Sequence, residues 1–156
     1  MYYEDLTLYT YSNTDIEMKN IAWLETGHDY KKGEVSKEFK DKLWKYMRYP
    51  VKVARGFQVC PLCSSVKRDV PTTTFNGETR NVGYYELRVW GQNNTVYAVT
   101  SLIFHYMEAH QYEPPKEFIE AVMCSDDPNN QDYYNRVLSL EHGYSFWLEA
   151  DRTIIE

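Results

Sequence analysis

The chain has 156 residues, 43% of them hydrophobic and 26% charged, enough to build one core and within the usual size of a single domain. Its mean hydropathy is −0.63 and no apolar run approaches the ~18 residues of a spanning helix, so a soluble protein with no membrane segment is expected. A formal net charge of −6 argues against a general nucleic-acid binder, whose affinity rests on cations neutralising phosphates.

Met1-Tyr2-Tyr3-Glu4-Asp5 lacks a basic region ahead of an apolar stretch and does not read as a signal peptide. A cytoplasmic, reducing setting follows. Residues 20–25 predict a short strand, and 26–33, with Gly27, His28 and Gly33, a loop. Ser36 is placed to cap a helix over 37–48, with Glu38 in its first turn, Phe39, Leu43, Tyr46 and Met47 on one face, and Pro50 as its stop. Val51, Val53, Phe57 and Val59 then predict an extended segment, kinked at Gly56, that delivers the chain to Cys60. Residues 82–90 alternate, with Tyr85, Leu87 and Val89 facing one way and Glu86 and Arg88 the other; Gly91-Gln92-Asn93-Asn94 signals a turn and 95–100 a return strand. Thr100 or Ser101 is expected to cap a helix over 102–110. Pro114-Pro115 stops it and opens a short helix through Glu117–Val122, on which Cys124 reads as a core thiol. A helix near 130–140 and a strand at 145–150 complete a single α+β domain over 1–156, with no linker or repeat.

The charge is unevenly spread. Residues 31–55 hold nine basic and three acidic side chains, a local +6, whereas 108–156 hold eleven acidic and three basic ones, a local −8. Either run reads plainly as a solvated helix face. Fifteen tyrosines and four tryptophans suit contact surfaces, although core filling accounts for them equally well.

The specific feature is Cys60-Pro61-Leu62-Cys63 followed, after 41 intervening residues, by His105-Tyr106-Met107-Glu108-Ala109-His110. Zinc takes four sulfur and nitrogen donors in a tetrahedron, and two cysteines two residues apart can point at one ion from a tight knuckle. Five steps along an ideal helix come to about 500°, so the imidazoles diverge by about 140° and meet only if the last turn loosens near His110. Knuckle, hairpin and histidine-bearing helix would then form an enlarged ββα finger or treble-clef-like unit around structural zinc, with flanking helices. A reduced cysteine pair and two unrelated histidines are the alternative.

Four protein ligands close the coordination shell, which argues against a catalytic metal. Glu108 fits neither His-Glu-x-x-His nor His-x-x-Glu-His, and the deaminase pattern of His-x-Glu before Pro-Cys-x-x-Cys is absent. No catalytic residue is assigned.

Residues 2–11, Asn20-Ile21-Ala22-Trp23-Leu24 with Gly27-His28 and Gly33-Glu34-Val35, Pro50-Val51 to Arg55-Gly56, the Cys60/Cys63 knuckle, and Val96-Tyr97-Ala98 leading to His105, His110, Pro114-Pro115 and Glu117-Phe118-Ile119 together resemble a widespread bacterial family of small uncharacterised proteins. The resemblance spans about residues 2–122, with 123–156 as a C-terminal extension. It implies a bacterial protein whose two cysteines and two histidines form a metal site, and it implies no activity.

The leading functional expectation is a non-enzymatic, zinc-stabilised protein that binds another protein, for example an immunity protein that plugs a basic toxin. The alternative is a zinc-containing nucleic-acid or regulatory module using residues 31–55, with Tyr46 and Tyr49 available for stacking. A metal-dependent hydrolase involving His28 or Glu108 is the third.

Overall fold

Ser36 Oγ accepts the Phe39 backbone N–H at 3.1 Å, and this cap starts helix α1, Lys37–Tyr46, on the expected residue. Phe39, Leu43 and Tyr46 form its buried face. The computed structural model describes residues 1–11, 16–63 and 69–140; the expected strand at 145–150 lies outside them.

The architecture is mixed α and β. Strands β1 (Met18–Ile21), β4 (Glu86–Trp90) and β5 (Val96–Thr100) form a sheet in the order β1-β5-β4. The hairpin β4–β5 pairs antiparallel with Glu86 opposite Thr100, while β1 runs parallel to β5 with Met18 opposite Val96. β1 ends earlier than its apolar sequence suggests because Ala22 takes a left-handed φ of 69°. The Asp5 carboxylate accepts the Ala22 N–H at 2.8 Å and so holds that turn.

A second antiparallel pair, β2 (Thr72–Phe75) and β3 (Glu78–Asn81), is not anticipated from the sequence. Asn76 and Gly77 link it with φ of 50° and 77°, the positive values that a two-residue hairpin turn demands. The segment before the knuckle forms no strand. Val51 makes one bridge to Glu86, Ala54 N–H donates to Tyr84 O, and Gln58 N–H donates to Gly83 O.

Helix α2 (Ile103–His110) follows β5 directly, then α3 (Lys116–Cys124) and α4 (Gln131–Leu140). Neither Thr100 nor Ser101 occupies the cap position of α2, which falls to Leu102 without a side-chain cap. Ser101 Oγ instead accepts the Gly83 N–H at 2.8 Å. Cys124 is exposed at the end of α3 rather than buried, because the helix there has run past its core-facing residues Phe118, Ala121 and Val122.

One face of the sheet, with Leu87, Val89, Tyr97 and Val99, joins Phe39, Leu43, Phe104, Phe118 and Val137 in the main core. The other face is also buried, under Tyr9, Trp23 and Leu140. Glu86 and Arg88 lie on that side at 4% and 0% exposure, so the polar half of the alternation faces an interior. They pair at 2.9 Å, with the Tyr9 hydroxyl donating to Glu86 at 3.2 Å. Buried charges persist when paired and hydrogen-bonded in this way.

Among the described residues, nine tyrosines are buried, most with a tethered hydroxyl. Tyr97 donates to Glu117, Tyr112 to Asp5 and Tyr133 to the Arg88 carbonyl. Core filling therefore accounts for most of the aromatic excess.

Candidate metal centre

Cys60, Cys63, His105 and His110 come together, with one ligand atom from each lying within 4.8 Å of the others. Cys60 Sγ is 3.3 Å from His110 Nε2, and Cys63 Sγ is 3.3 Å from His105 Nε2 and 3.5 Å from His110 Nε2. Zinc–sulfur and zinc–nitrogen bonds of about 2.3 and 2.0–2.1 Å imply sulfur–nitrogen edges of about 3.5–3.6 Å in a tetrahedron. The four donors therefore stand close to the separation that one such cation needs.

The obstacle posed by the five-residue histidine spacing is removed at the end of α2. Gln111 adopts a left-handed φ of 52°, and both its N–H and that of Tyr112 donate to the Tyr106 carbonyl. The Gln111 bond spans five residues instead of four, a widened turn of the kind that π-type geometry produces. It swings His110 back towards the side of His105.

Residues 26–33, read only as a loop, strap this turn in place. Tyr30 donates its hydroxyl to the His110 carbonyl at 3.0 Å, Gly33 N–H donates to Gln111 O at 2.9 Å, and Glu113 N–H donates to Lys31 O at 2.9 Å. On the other side, Thr26 donates to the Pro61 carbonyl at 2.7 Å and fixes the knuckle. Tyr30 and Thr26 are supporting residues that sequence reading misses, since each acts across a gap of 35 to 80 positions.

Burial pushes the Cys60 thiol up to about 11, with the neighbouring Cys63 adding to it. Burial, followed by Lys32, holds the His110 imidazole below its ordinary value. Without a cation the pocket therefore keeps these groups neutral. A divalent metal would supply the charge that favours thiolate, and a neutral imidazole is already the ligating form.

Other candidates lie elsewhere. Glu108 pairs with Lys40 at 2.8 Å, and His28 stacks on Tyr2 at 3.7 Å between ring centroids. His142 falls outside the described residues.

The basic segment is also largely engaged. Lys31 pairs with Glu113, Lys40 with Glu108 and Lys45 with Asp127, while Lys42 donates to the Met123 carbonyl at 2.9 Å. Among the described residues, no helix is long and apolar enough to cross a membrane.

No curated protein and no solved structure is significantly similar to this chain. Residues 1–123 match the family described as domain of unknown function DUF7919, which contains the knuckle, both strand pairs and the two histidines, and the chain belongs to that family.

Proposed function

We propose that this is a non-enzymatic bacterial protein that binds another protein, with Cys60, Cys63, His105 and His110 holding structural zinc. The observation that carries the reading is the donor set itself: two sulfurs and two nitrogens gathered within 4.8 Å, a complete tetrahedral complement. The carboxylate nearest in sequence, Glu108, pairs with Lys40 rather than standing free as a general base. A reducing, cytoplasmic setting suits the unbridged cysteines.

The partner is a basic protein, and one concrete form of the reading is an immunity protein that neutralises a cationic toxin such as a nuclease. Acidic complementarity accelerates such an association, and a tight plug needs no chemistry of its own. The pairing of Lys31, Lys40 and Lys45 with acidic groups outside the segment halves its +6 excess, which weighs against the nucleic-acid alternative.

Metal analysis of the purified chain tests the first half, with one zinc per chain expected. The cobalt-substituted protein should show tetrahedral two-sulfur, two-nitrogen ligation. A spectrum with an exchangeable water ligand would overturn it in favour of a catalytic metal. Co-purification with the product of a neighbouring gene that is toxic alone tests the second half. Finding neither such a neighbour nor a stable partner would remove the binding reading.

A further inference from the structure

A groove of about 710 Å³ opens between the β4–β5 turn, the end of α3 and the start of α4, a volume suited to a specific ligand or an inserted side chain. Its aromatic lining comes from Tyr46, Trp90 and Tyr133, the last two meeting edge to face at 5.7 Å. Tyr133 is held by three separate contacts: its hydroxyl donates to Arg88 O, its N–H donates to Asn130 Oδ1, and its ring packs against Tyr46. Asn129 is fixed by the Tyr49 hydroxyl at 3.2 Å and by the turn that Asp127 makes with its N–H. The walls are thus preorganised, which lowers the ordering cost of binding.

Three aspartates and a single arginine supply the charge of the lining. Asp127 is answered by Lys45 at 3.0 Å. Asp126 and Asp132 are exposed and make no ion pair among the described residues. An anion would meet two open carboxylates against Arg136 alone, whereas a guanidinium offers five donors for acceptor groups and a flat face for an indole.

We propose that this groove takes an arginine-bearing segment of the protein partner, its guanidinium lying against the half-buried Trp90 indole, which Tyr133 buttresses edge-on, with Asp126 and Asp132 as counter-charges. The proposal rests on the protein-binding reading above and names the chemistry of the partner. Residues 124–136 supply one wall and lie beyond the family match at 1–123, whereas Tyr46, Trp90, Gly91, Gln92 and Ala121 lie within it. The chain's own residues 141–156 carry four acidic side chains and one arginine, an ill-matched occupant.

Titration of the full-length protein with acetylated, amidated tri-arginine tests it, with the tri-glutamine peptide as control. The exposed Cys124 thiol lines the groove and reports occupancy through its alkylation rate, followed at that residue by mass spectrometry. Tri-arginine should saturate and slow alkylation of Cys124 at least about fivefold, and the Asp126→Asn/Asp132→Asn double variant should weaken it about tenfold, as desolvated cation–aromatic and carboxylate contacts predict. Both substitutions are on exposed side chains, and an unchanged melting temperature verifies that the variant is folded. Equal protection by tri-glutamine, or identical tri-arginine affinity for the double variant, overturns the proposal. Those outcomes leave metal content and toxin binding untouched, so failure of the groove is distinguishable from failure of the wider reading.

Discussion

Removing the metal, by chelation or by Cys63→Ser, should unfasten one corner of the protein rather than unfold it. In isolated fingers structural zinc contributes ~10–16 kcal/mol to a chain with almost no other core. Here α2 buries Ile103, Phe104, Tyr106 and Met107, each worth about 1.5–3 kcal/mol as an upper estimate, so the helix has its own hold of on the order of 6–12 kcal/mol. The knuckle has far less, since Cys60 is its one buried side chain. At free zinc about 1,000-fold above the dissociation constant, linkage gives about 4 kcal/mol of stabilisation, which for a chain of this size corresponds to roughly 8–16 °C in melting temperature. Calorimetry of the chelated and zinc-loaded protein should show that difference, with Cys63→Ser behaving as the chelated form. Hydrogen exchange should quicken in residues 58–63 and 108–113 while β4 and β5 stay protected. A melting temperature indifferent to chelation, or equal loss of protection in the sheet, would refute the reasoning.

Arg88→Met should cost about 3–5 kcal/mol, because it strands the Glu86 carboxylate at 4% exposure without its 2.9 Å partner; urea denaturation measures it, and a loss under about 1 kcal/mol would contradict the buried-pair account. Gly83→Ala should destabilise the approach to Cys60, since φ is +92° and a Cβ would collide with the Gln58 carbonyl; faster zinc release to a colorimetric chelator is the readout, and unaltered release would count against it. Burial holds Asp5 above the ordinary carboxylate value of 3.8, against the pull of the Ala22 N–H and the Tyr112 hydroxyl. A raised folded-state value means that its stabilising contribution is full below the ordinary value and is lost as pH climbs through the raised one. Asp5→Asn should flatten the urea midpoint across that window, and parallel profiles for the two proteins would dismiss the assignment. Neutralising Lys40 and Lys45 should leave oligonucleotide affinity negligible at every salt concentration and change stability by under about 1 kcal/mol per exposed pair; a steep salt slope in the parent protein would revive the nucleic-acid reading.

The parts legible in the sequence are those whose cause is local. Ser36 and the spacing of Phe39, Leu43 and Tyr46 specify α1 within ten residues, and the turn signal at 91–94 specifies the β4–β5 hairpin. The four donors are legible from chemistry alone. The Thr72–Asn81 hairpin is obscure because its flanks are mostly polar, and its one large apolar residue, Phe75, is recruited by Trp44 and Phe104, each 5.5 Å away between ring centroids. Likewise, nothing near Ala22 announces a left-handed turn whose support is Asp5, seventeen positions away. The convergence of His105 and His110 depends on a widened helical turn and on Tyr30, eighty positions from the carbonyl it binds. In each case the deciding partner is remote in the chain, where periodicity carries no information.

The same distinction changes the meaning of the charge. In sequence, +6 over residues 31–55 and −8 over 108–156 suggest two separate sticky surfaces. In space they partly answer one another: Glu108 with Lys40, Glu113 with Lys31 and Asp127 with Lys45. Glu117 is taken by Lys19 and held below its ordinary value mainly by the Tyr97 hydroxyl. Exposed pairs of this kind add little stability, but they remove those carboxylates from the field a partner meets. What remains among the described residues of that run is concentrated at Asp126 and Asp132, beside Trp90 and Tyr133. Among the described residues, the unpaired acidic character of that run therefore gathers at one groove. An interface that discriminates among basic proteins is better served by that arrangement, since carboxylates localised in one groove beside an indole reward geometry whereas a diffuse field rewards any cation.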